Sequence, residues 1–311
     1  MNDLYDIAIV GSGSAGLSAS IYASRYRLRN IVFGKMPGGT IADAHKICNY
    51  PGLKDITGLE LGQRMHDQAK EQGGEFSFEN IVDIKKERGL FKLITESGKE
   101  YFSKTVLLST GTERNKLKLP NEDKYLGKGV SYCATCDAMF YKDKTVGVVG
   151  GSNAATMAAT MLADIAKKVY IIYRGDKLRG EPAWVEDVES KDNIEVLFNT
   201  VVIGLIGEGK LEKVRLKEEN KETSDLNLDG LFIEIGSRPD ISLSTLLGVD
   251  LDEKQHIVVD QRQATTLEGV WAAGDCTTNS NKFQQVVTAV GEGAVAANSI
   301  YCYIKQNPSC N

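Results

Sequence analysis

Residues 5–16 read YDIAIVGSGSAG, an apolar run that passes directly into a glycine-rich turn. The run Tyr5–Val10 predicts a buried parallel strand, and the residues after the turn predict a helix over 17–26. In such a unit the first glycine permits the tight turn, the second lets a pyrophosphate approach the backbone and the third lets helix and strand pack closely. The pattern predicts a dinucleotide site contacted by Gly11, Ser12, Gly13, Ala15 and Gly16. The alternative is a glycine turn without a ligand.

The residues that follow favour a flavin dinucleotide, FAD, at this first site. The next predicted strand, Asn30–Phe33, ends in Gly34 and Lys35 and lacks the acid that holds a ribose 2′-hydroxyl in NAD sites. Further glycine turns follow, and a late apolar strand, 269–275, ends on an acid before a helix predicted from Val286 to about Ile304. The remaining predicted contacts are Gly38, Gly39, Thr40, Asn49, Thr110, Gly111, Gly274, Asp275, Gln285 and Val286. For Asp275, capping of the helix is the alternative.

A second dinucleotide unit begins at the predicted strand Thr145–Val149. A glycine turn, a helix of small residues to Ala166 and a strand over 169–173 follow it. Its predicted contacts are Gly151, Ser152, Asn153, Ala154, Arg174 and Arg179. Ser152 stands where the pyrophosphate-approach glycine belongs, and the two arginines suit a 2′-phosphate, which points to NADPH. Alternatively, these are solvated arginines in a charged loop.

The stretches between and after these units complete the predicted architecture. Residues 74–112 alternate apolar and polar side chains, which predicts an antiparallel hairpin insertion with a core strand over 106–111. The apolar run 231–236 predicts the strand that closes the second unit, and 237–240 a linker. The chain then resumes with the apolar run 257–260.

Two cysteines three positions apart, Cys133 and Cys136, precede Asp137. Such thiols can close a small redox-active ring, and at the first turn of a helix one of them becomes a ready thiolate. Asp137 is then the candidate proton carrier. The alternative is half of a zinc site, but the other cysteines are isolated and the histidines are far apart, so we predict no metal. Cys302 and Cys310 form a second redox pair or, as we expect, a buried helical cysteine and one in a frayed tail.

Length and composition narrow the function classes. A chain of 311 residues with 42% hydrophobic residues exceeds the length of most single cores, so two domains are expected. The net charge of −5 and the short basic clusters argue against a nucleic-acid surface. No apolar run is long enough for a signal peptide or a membrane span. A soluble cytoplasmic protein is expected, where a Cys-x-x-Cys pair is more often catalytic than structural.

Together, the first glycine turn, the stretch Cys133-Ala134-Thr135-Cys136-Asp137, the second turn at Gly150 and Ala272-Ala273-Gly274-Asp275 resemble the low-molecular-weight thioredoxin reductases. The resemblance implies an α/β fold of two Rossmann-like domains of the three-layer ββα type, the second inserted into the first. Residues 1–113 and 244–311 would bind FAD, and 114–243 would bind NAD(P)H and carry the redox pair.

The resemblance also implies a reaction. Hydride passes from NADPH to FAD, the flavin reduces the Cys133–Cys136 disulfide, and the dithiol reduces thioredoxin. Cys136 would face the flavin, Cys133 would attack the partner's disulfide, and Asp137 would be the acid/base. Such enzymes are usually homodimers.

The chain departs from this family at the second nucleotide site. The family commonly has glycine at position 152 and His-Arg-Arg where this chain has Tyr173-Arg174-Gly175. NADH is therefore a second possible coenzyme, and ferredoxin or a reduced deazaflavin are alternative donors. Other hypotheses are a flavin dithiol oxidase and a nucleotide-binding redox sensor or zinc-stapled scaffold.

Overall fold

The structure is a computed structural model that describes residues 4–218 and 221–306. Its strands are β1 Leu4–Val10, β2 Asn30–Phe33, β3 Glu75–Ser77, β4 Ile81–Glu87, β5 Leu90–Thr95, β6 Glu100–Leu108, β7 Thr112–Arg114, β8 Val130–Ser131, β9 Thr145–Val149, β10 Lys168–Ile172, β11 Ile194–Leu197, β12 Thr200–Ile206, β13 Lys213–Glu218, β14 Ser224–Asn227, β15 Gly230–Ile233, β16 Ser237–Pro239 and β17 Val270–Ala272. Its helices are α1 Ser14–Arg25, α2 Gly58–Glu71, α3 Glu122–Tyr125, α4 Ala134–Asp137, α5 Asn153–Ala163, α6 Pro182–Glu189, α7 Ser242–Leu247 and α8 Val286–Lys305. Short 3₁₀ turns lie at Gly39–Asp43, Ala138–Tyr141 and Ser280–Lys282.

The chain divides into two compact units. Residues up to Glu113 and from Arg238 onward form the first, and Arg114–Ser237 form the second. No helix in the described ranges combines the length and the apolar character that crossing a membrane requires.

The first unit is built on a parallel sheet in the order β3, β2, β1, β6, β17, and the start of β6 continues into antiparallel β5 and β4. Successive residues of β1 point to opposite faces. Ile7 and Ile9 pack with α1 and α8, whereas Ala8 and Val10 pack with the β4–β5 hairpin. The parallel sheet is therefore covered by helices on one face and by antiparallel strands on the other.

The second unit repeats this arrangement. Its parallel sheet has the order β11, β10, β9, β15, β8, and β12, β13 and β14 form a separate antiparallel sheet. Val146 and Val148 pack with α5, and Val149 packs with residues of β12 and β13. Both units thus have the predicted α/β architecture of three layers.

Several predicted elements are present with small shifts. The strands predicted at 5–10, 30–33, 145–149 and 169–173 are β1, β2, β9 and β10, and the last predicted helix is α8. Helix α1 begins at Ser14 rather than 17, because Gly13 is already its N-cap. Helix α5 ends at Ala163 rather than Ala166.

The structure corrects the prediction for residues 74–112 and shows that the apolar run 257–260 is not a regular strand. In residues 74–112 the hairpin is present as β4 and β5, but Glu75–Ser77 pairs in parallel with β2 and belongs to the core sheet. In the apolar run 257–260, only Ile257 pairs, through isolated bridges to Leu251 and Thr277. The run ends in a turn because the Asp260 carboxylate accepts from the backbone N–H groups of residues 262 and 264.

The second crossing between the units lies at Ser237/Arg238, whereas the sequence analysis places it at 243/244. The reason is that residues after 238 already pack in the first unit. Thr110 Oγ1 donates to Asp240 O (3.3 Å), and Leu243 of α7 is buried in that unit's core. Strands β7 and β16 pair with each other where the chain passes between units.

The sequence analysis missed two features. It does not predict α2, although Thr57 accepts from the Glu60 N–H as an N-cap (3.2 Å) and Thr57 followed by Glu60 is a recognisable helix start. It also does not predict the sheet of β12 to β14.

Candidate functional site

The Cys133–Cys136 disulfide lies at the start of α4 in the second unit. The two Cα atoms are 5.3 Å apart, and Cys133 is the N-cap residue of the helix. The Cys136 N–H donates to Cys133 Sγ (3.1 Å), while the Cys133 N–H donates to Ser131 Oγ (3.0 Å). Cys133 is half-buried and Cys136 is exposed. A reduced Cys133 would keep a backbone donor on its sulfur, which favours the thiolate there.

Asp137 ends α4, one residue beyond the disulfide, and is half-buried. Among the described residues, none donates a hydrogen bond to its carboxylate. The carboxylate acts on its surroundings, since the pKa of Tyr141 is raised by burial first and then by the charges of Asp137 and Asp229. The structure thus places beside the disulfide a carboxylate that receives no hydrogen bond from the described residues.

In the glycine turn after β1, other protein atoms occupy the space of a β-carbon at two of the three glycines, and the space at the third is open. A β-carbon on Gly11 would lie 2.0 Å from Ser109 O, and one on Gly16 would lie 2.0 Å from Gly11 O. Gly13 has extended backbone that any residue adopts, and a β-carbon there would meet no described atom closer than Gly38 O at 3.8 Å. The packing of the protein therefore requires glycine at positions 11 and 16. At position 13 the protein itself would tolerate a side chain, and only a ligand close to the backbone would require glycine.

A cavity of about 240 Å³ borders Gly13 and the N-termini of α1 and α8. The predicted contacts that line it are Gly13, Ala15, Gly38, Thr40, Gly111, Gly274, Asp275, Gln285 and Val286. Lining residues that the sequence analysis missed include Ser14, Ser109 and Gln284. Two helix N-termini at one cavity offer backbone N–H groups and positive potential to an anion.

The other predicted contacts of the first site are not among the lining residues. Gly11 and Gly16 serve packing, as above, and Gly39 opens a 3₁₀ turn with a positive φ of 59°. Ser12 Oγ donates to Met36 O (2.7 Å). Asn49 Nδ2 donates to Gln285 Oε1 (3.0 Å) and so orients a lining side chain. Thr110 instead bonds to Asp240 O.

Asp275 faces this cavity with an unsatisfied carboxylate. No described residue donates a hydrogen bond to its side chain, although its backbone O accepts from Gln284 Nε2 (3.1 Å). Burial, followed by the nearby charge of Glu292, raises the pKa of Asp275 to about 6. The helix-capping alternative does not hold, because the N-cap of α8 is Gln285, which forms a capping box with Thr288. Donors for Asp275 other than water would come from a ligand, such as hydroxyl groups.

A larger cavity, about 610 Å³, lies in the second unit at the turn after β9. The predicted residues that line it are Gly151, Ser152, Arg174 and Arg179. Lys116 and Lys118, which the sequence analysis missed, also line it. Four cationic side chains around one cavity suit a ligand with phosphate groups. Asn153 and Ala154 are not lining residues, and the Asn153 amide is engaged with Glu181 in two hydrogen bonds.

Tyr173, immediately after β10, fills part of the space beside the second glycine turn. A β-carbon on Gly151 would lie 2.6 Å from its ring, and so would one on Gly175. Arg179 lies over the same ring, 5.8 Å from its centroid, and its N–H donates to Gly151 O (2.6 Å). The residue that sequence reasoning treats as the end of a strand is therefore a wall of the candidate site.

The remaining cysteines lie outside these cavities. Cys48 is exposed and Cys276 is buried, each with a free thiol. Cys302 lies in α8 and is disulfide-bonded, which differs from the expected buried thiol, and Cys310 lies outside the described residues.

The chain matches the family model described as pyridine nucleotide-disulphide oxidoreductase over residues 5–293. It is similar to a thioredoxin reductase of Mycoplasma genitalium, with 39% identity covering 94% of this chain and 93% of the relative.

Two solved structures extend this similarity to the fold. One is a thioredoxin reductase of Lactococcus lactis, with a TM-score of 0.93, 31% identity and coverage of 97% of this chain and 99% of the other. The other is a thioredoxin reductase of T. acidophilum, with a TM-score of 0.91, 37% identity and coverage of 98% and 100%.

Proposed function

The chain belongs to the pyridine nucleotide-disulphide oxidoreductases and, within them, to the thioredoxin reductases, and from this premise we propose how its own residues perform the reaction. It is an FAD-dependent enzyme that passes electrons from NADPH, or NADH, through the Cys133–Cys136 disulfide to the disulfide of a thioredoxin-like protein. The observation that carries this proposal is that disulfide, which caps a helix in the unit that also contains the cation-lined cavity.

The first cavity fits FAD. The open space at Gly13 admits a pyrophosphate, and the N-termini of α1 and α8 offer N–H groups to it. The Asp275 carboxylate would accept hydrogen bonds from ligand hydroxyl groups, such as those of a ribityl chain. When bound, a flavin supplies the two-electron link between a nicotinamide hydride and a disulfide.

The redox pair then needs two electrons and two protons to become a dithiol. The S–S bond breaks, and the Cys136 N–H holds negative charge on Cys133 Sγ. The Cys133 thiolate attacks a sulfur of the partner's disulfide and forms a mixed disulfide. Cys136 then attacks Cys133, which restores the original bond and releases the partner as a dithiol. Asp137 holds the proton exchanged with these sulfurs.

The domain arrangement belongs to the same proposal. The FAD domain consists of two segments, and the NAD(P)H domain that carries Cys133 and Cys136 is inserted between them. The division of the chain near Glu113 and Arg238 supports this. By its resemblance to the family, the protein is a homodimer and works in the cytoplasm, and light scattering in solution tests the dimer.

The electron donor is NADPH, NADH or a donor other than a nicotinamide. Arg174, Arg179 and the two lysines favour NADPH. Ser152 and the Tyr173 ring narrow the same site, which favours NADH or a donor other than a nicotinamide, such as ferredoxin or a reduced deazaflavin. Anaerobic titration with NADPH and NADH separately, followed by flavin bleaching, decides between them, and bleaching by neither would remove the nicotinamide route.

Turnover tests the activity directly. The purified protein with NADPH or NADH should reduce a small thioredoxin, and Cys136→Ser should stop that reduction while leaving the flavin reducible. An unimpaired Cys136→Ser protein would contradict the proposal. The dithiol oxidase alternative predicts peroxide from a dithiol and oxygen without any nicotinamide.

A further inference from the structure

Glu292 is a buried carboxylate in the middle of α8, with 7% of its surface exposed. Its Oε2 accepts from the Gly274 N–H (2.7 Å), and its Oε1 accepts from Ser280 Oγ (2.5 Å). Thr277 Oγ1, 3.2 Å from Oε2, shares its single proton between Glu292 and Gly274 O (3.0 Å). All three donors lie on the loop that follows β17. One side chain therefore ties the whole loop 274–280 to the helix.

The packing of the core alone does not explain a carboxylate at this position. Burying a carboxylate is unfavourable unless it is hydrogen-bonded, and an apolar residue in the same place is often neutral or stabilising. The helix cannot turn Glu292 away, because a β-carbon on the neighbouring Gly293 would lie 2.1 Å from Ala15 O of α1. The side chain is thus held toward the loop by the packing of α8 on α1.

The loop matters because of the residue that follows Gly274. Asp275 lines the first cavity, and its carboxylate receives no hydrogen bond from the described residues. Gly274 has a φ of 86°, so the direction in which the chain leaves it depends on how its backbone is held. Glu292 Oε2 holds the Gly274 N–H, while the Gly274 carbonyl accepts from the Thr277 N–H (3.0 Å).

We propose that Glu292 is a positioning residue for the flavin dinucleotide: by fixing loop 274–280 against α8, it keeps the Asp275 carboxylate aimed into the cavity. This inference rests on the proposed FAD function. It differs from a direct binding role, because Glu292 is not among the residues that line the cavity.

The proposal has a second consequence, through charge. Within the described residues, the titratable groups that act on Asp275 or are acted on by it are Glu292 on α8 and the neighbouring Cys276 thiol. Hydroxyl groups of a ligand donate to an ionised carboxylate, so FAD affinity should rise with pH as Asp275 ionises. Removing the charge of Glu292 should move the midpoint of that rise to lower pH.

The test compares FAD dissociation constants of the FAD-free full chain, measured by quenching of flavin fluorescence between pH 5 and 8. Glu292→Ala, which loses all three hydrogen bonds, should bind FAD at least tenfold more weakly at pH 8. Glu292→Gln keeps an acceptor for the Gly274 N–H, so its affinity at pH 8 should stay within threefold while its pH midpoint falls. The matched control is Ser299→Ala, which removes the Trp271–Ser299 hydrogen bond between β17 and the same helix (2.9 Å) and should change neither quantity.

Each outcome bears on a stated claim. Wild-type affinity in Glu292→Ala would overturn the positioning role, and if that variant fails to fold, wild-type affinity in Ser280→Ala, which removes the donor to Glu292 Oε1, would overturn it instead. Failure of the wild-type protein to bind FAD would overturn the proposed function itself. A loss in Ser299→Ala equal to that in Glu292→Ala would mean that general loosening of α8 is responsible and would also overturn the positioning role.

Discussion

Replacing Asp275 by Asn should make the FAD-free protein more stable at neutral pH and impair its binding of FAD. Asp275 is half-buried beside Glu292, and no described residue donates a hydrogen bond to its carboxylate. Burial first, and then Glu292, raises the pKa of Asp275 from 3.8 to about 6. The folded protein therefore holds this carboxylate at an energetic cost once it is ionised.

The sign and the pH window follow from linkage. Because the pKa is higher in the folded state, folding is most favoured below about pH 4, weakens as the pH rises to about 6, and stays weakened above it. A pKa difference of about 2, at ~1.36 kcal/mol per pKa unit, corresponds to at most about 3 kcal/mol before solvent screening reduces it. In Asp275→Asn, the amide remains a polar group without a hydrogen-bond partner, which offsets part of this energy. The free energy of unfolding at pH 7.5 should therefore rise by about 1 to 3 kcal/mol.

Thermal unfolding of the FAD-free protein at pH 7.5 and pH 4 measures this effect. At roughly 2 to 4 °C per kcal/mol for a unit of this size, Asp275→Asn should raise the midpoint by several degrees at pH 7.5 and by almost nothing at pH 4. Asp252→Asn is the opposite control. A hydrogen bond from Lys282, above all, holds the pKa of Asp252 below its usual range, so that variant should lose stability near neutral pH.

Two results would refute the reasoning. One is an Asp275→Asn protein whose unfolding midpoint equals that of the wild type at both pH values. The other is a stabilised variant that still binds FAD with wild-type affinity, because the unsatisfied carboxylate would then have no role toward the ligand.

Three further predictions follow from the two cavities and the thiols. Gly13→Ala should leave the FAD-free protein near wild-type stability but weaken FAD binding at least tenfold. Gly16→Ala should instead lower the unfolding midpoint, because its β-carbon would lie 2.0 Å from Gly11 O. Calorimetry measures the unfolding midpoint and flavin titration measures FAD binding. Arg174→Gln and Arg179→Gln should each raise the KM for NADPH about tenfold or more and leave the KM for NADH nearly unchanged. The reason is that a charge-assisted hydrogen bond to the 2′-phosphate is worth roughly 1.5 to 3 kcal/mol. Equal effects on the two KM values would show that the arginines are only solvated. In the oxidised native protein at pH 8, iodoacetamide should label exposed Cys48 but not Cys276, because burial raises the pKa of the Cys276 thiol to about 11; peptide mass mapping after labelling gives the answer.

The strongest sequence predictions were those in which one local pattern leaves little choice of structure. The run Tyr5–Val10 followed by glycines could only be a buried strand entering a tight turn, and β1 and α1 are there. The structure places Cys133 and Cys136 at the start of α4, the condition under which the sequence analysis expects one of them to become a thiolate. Both of these features are determined by residues that are close together in the sequence.

The features that were missed depend on residues far apart in sequence. Tyr173 becomes a wall of the second cavity because its ring packs on Gly151, 22 positions earlier. Glu292 could not be recognised as a tether, since its partners are 12 to 18 positions away and lie on a loop. The crossing at Ser237 lies before the predicted boundary because Asp240 bonds to Thr110, 130 positions earlier in the chain. No local pattern encodes any of these contacts.

The two glycine turns differ in a way that bears on how each ligand is held. Beside the first turn, the space at Gly13 is open, and none of residues 4–218 and 221–306 donates a hydrogen bond to the Asp275 carboxylate. Beside the second turn, the Tyr173 ring already occupies the space at Gly151. A ligand at the first site gains contacts that the protein lacks, whereas one at the second must fit around a side chain that is already packed. This contrast favours a tightly retained cofactor at the first site and a weaker, exchanging donor at the second.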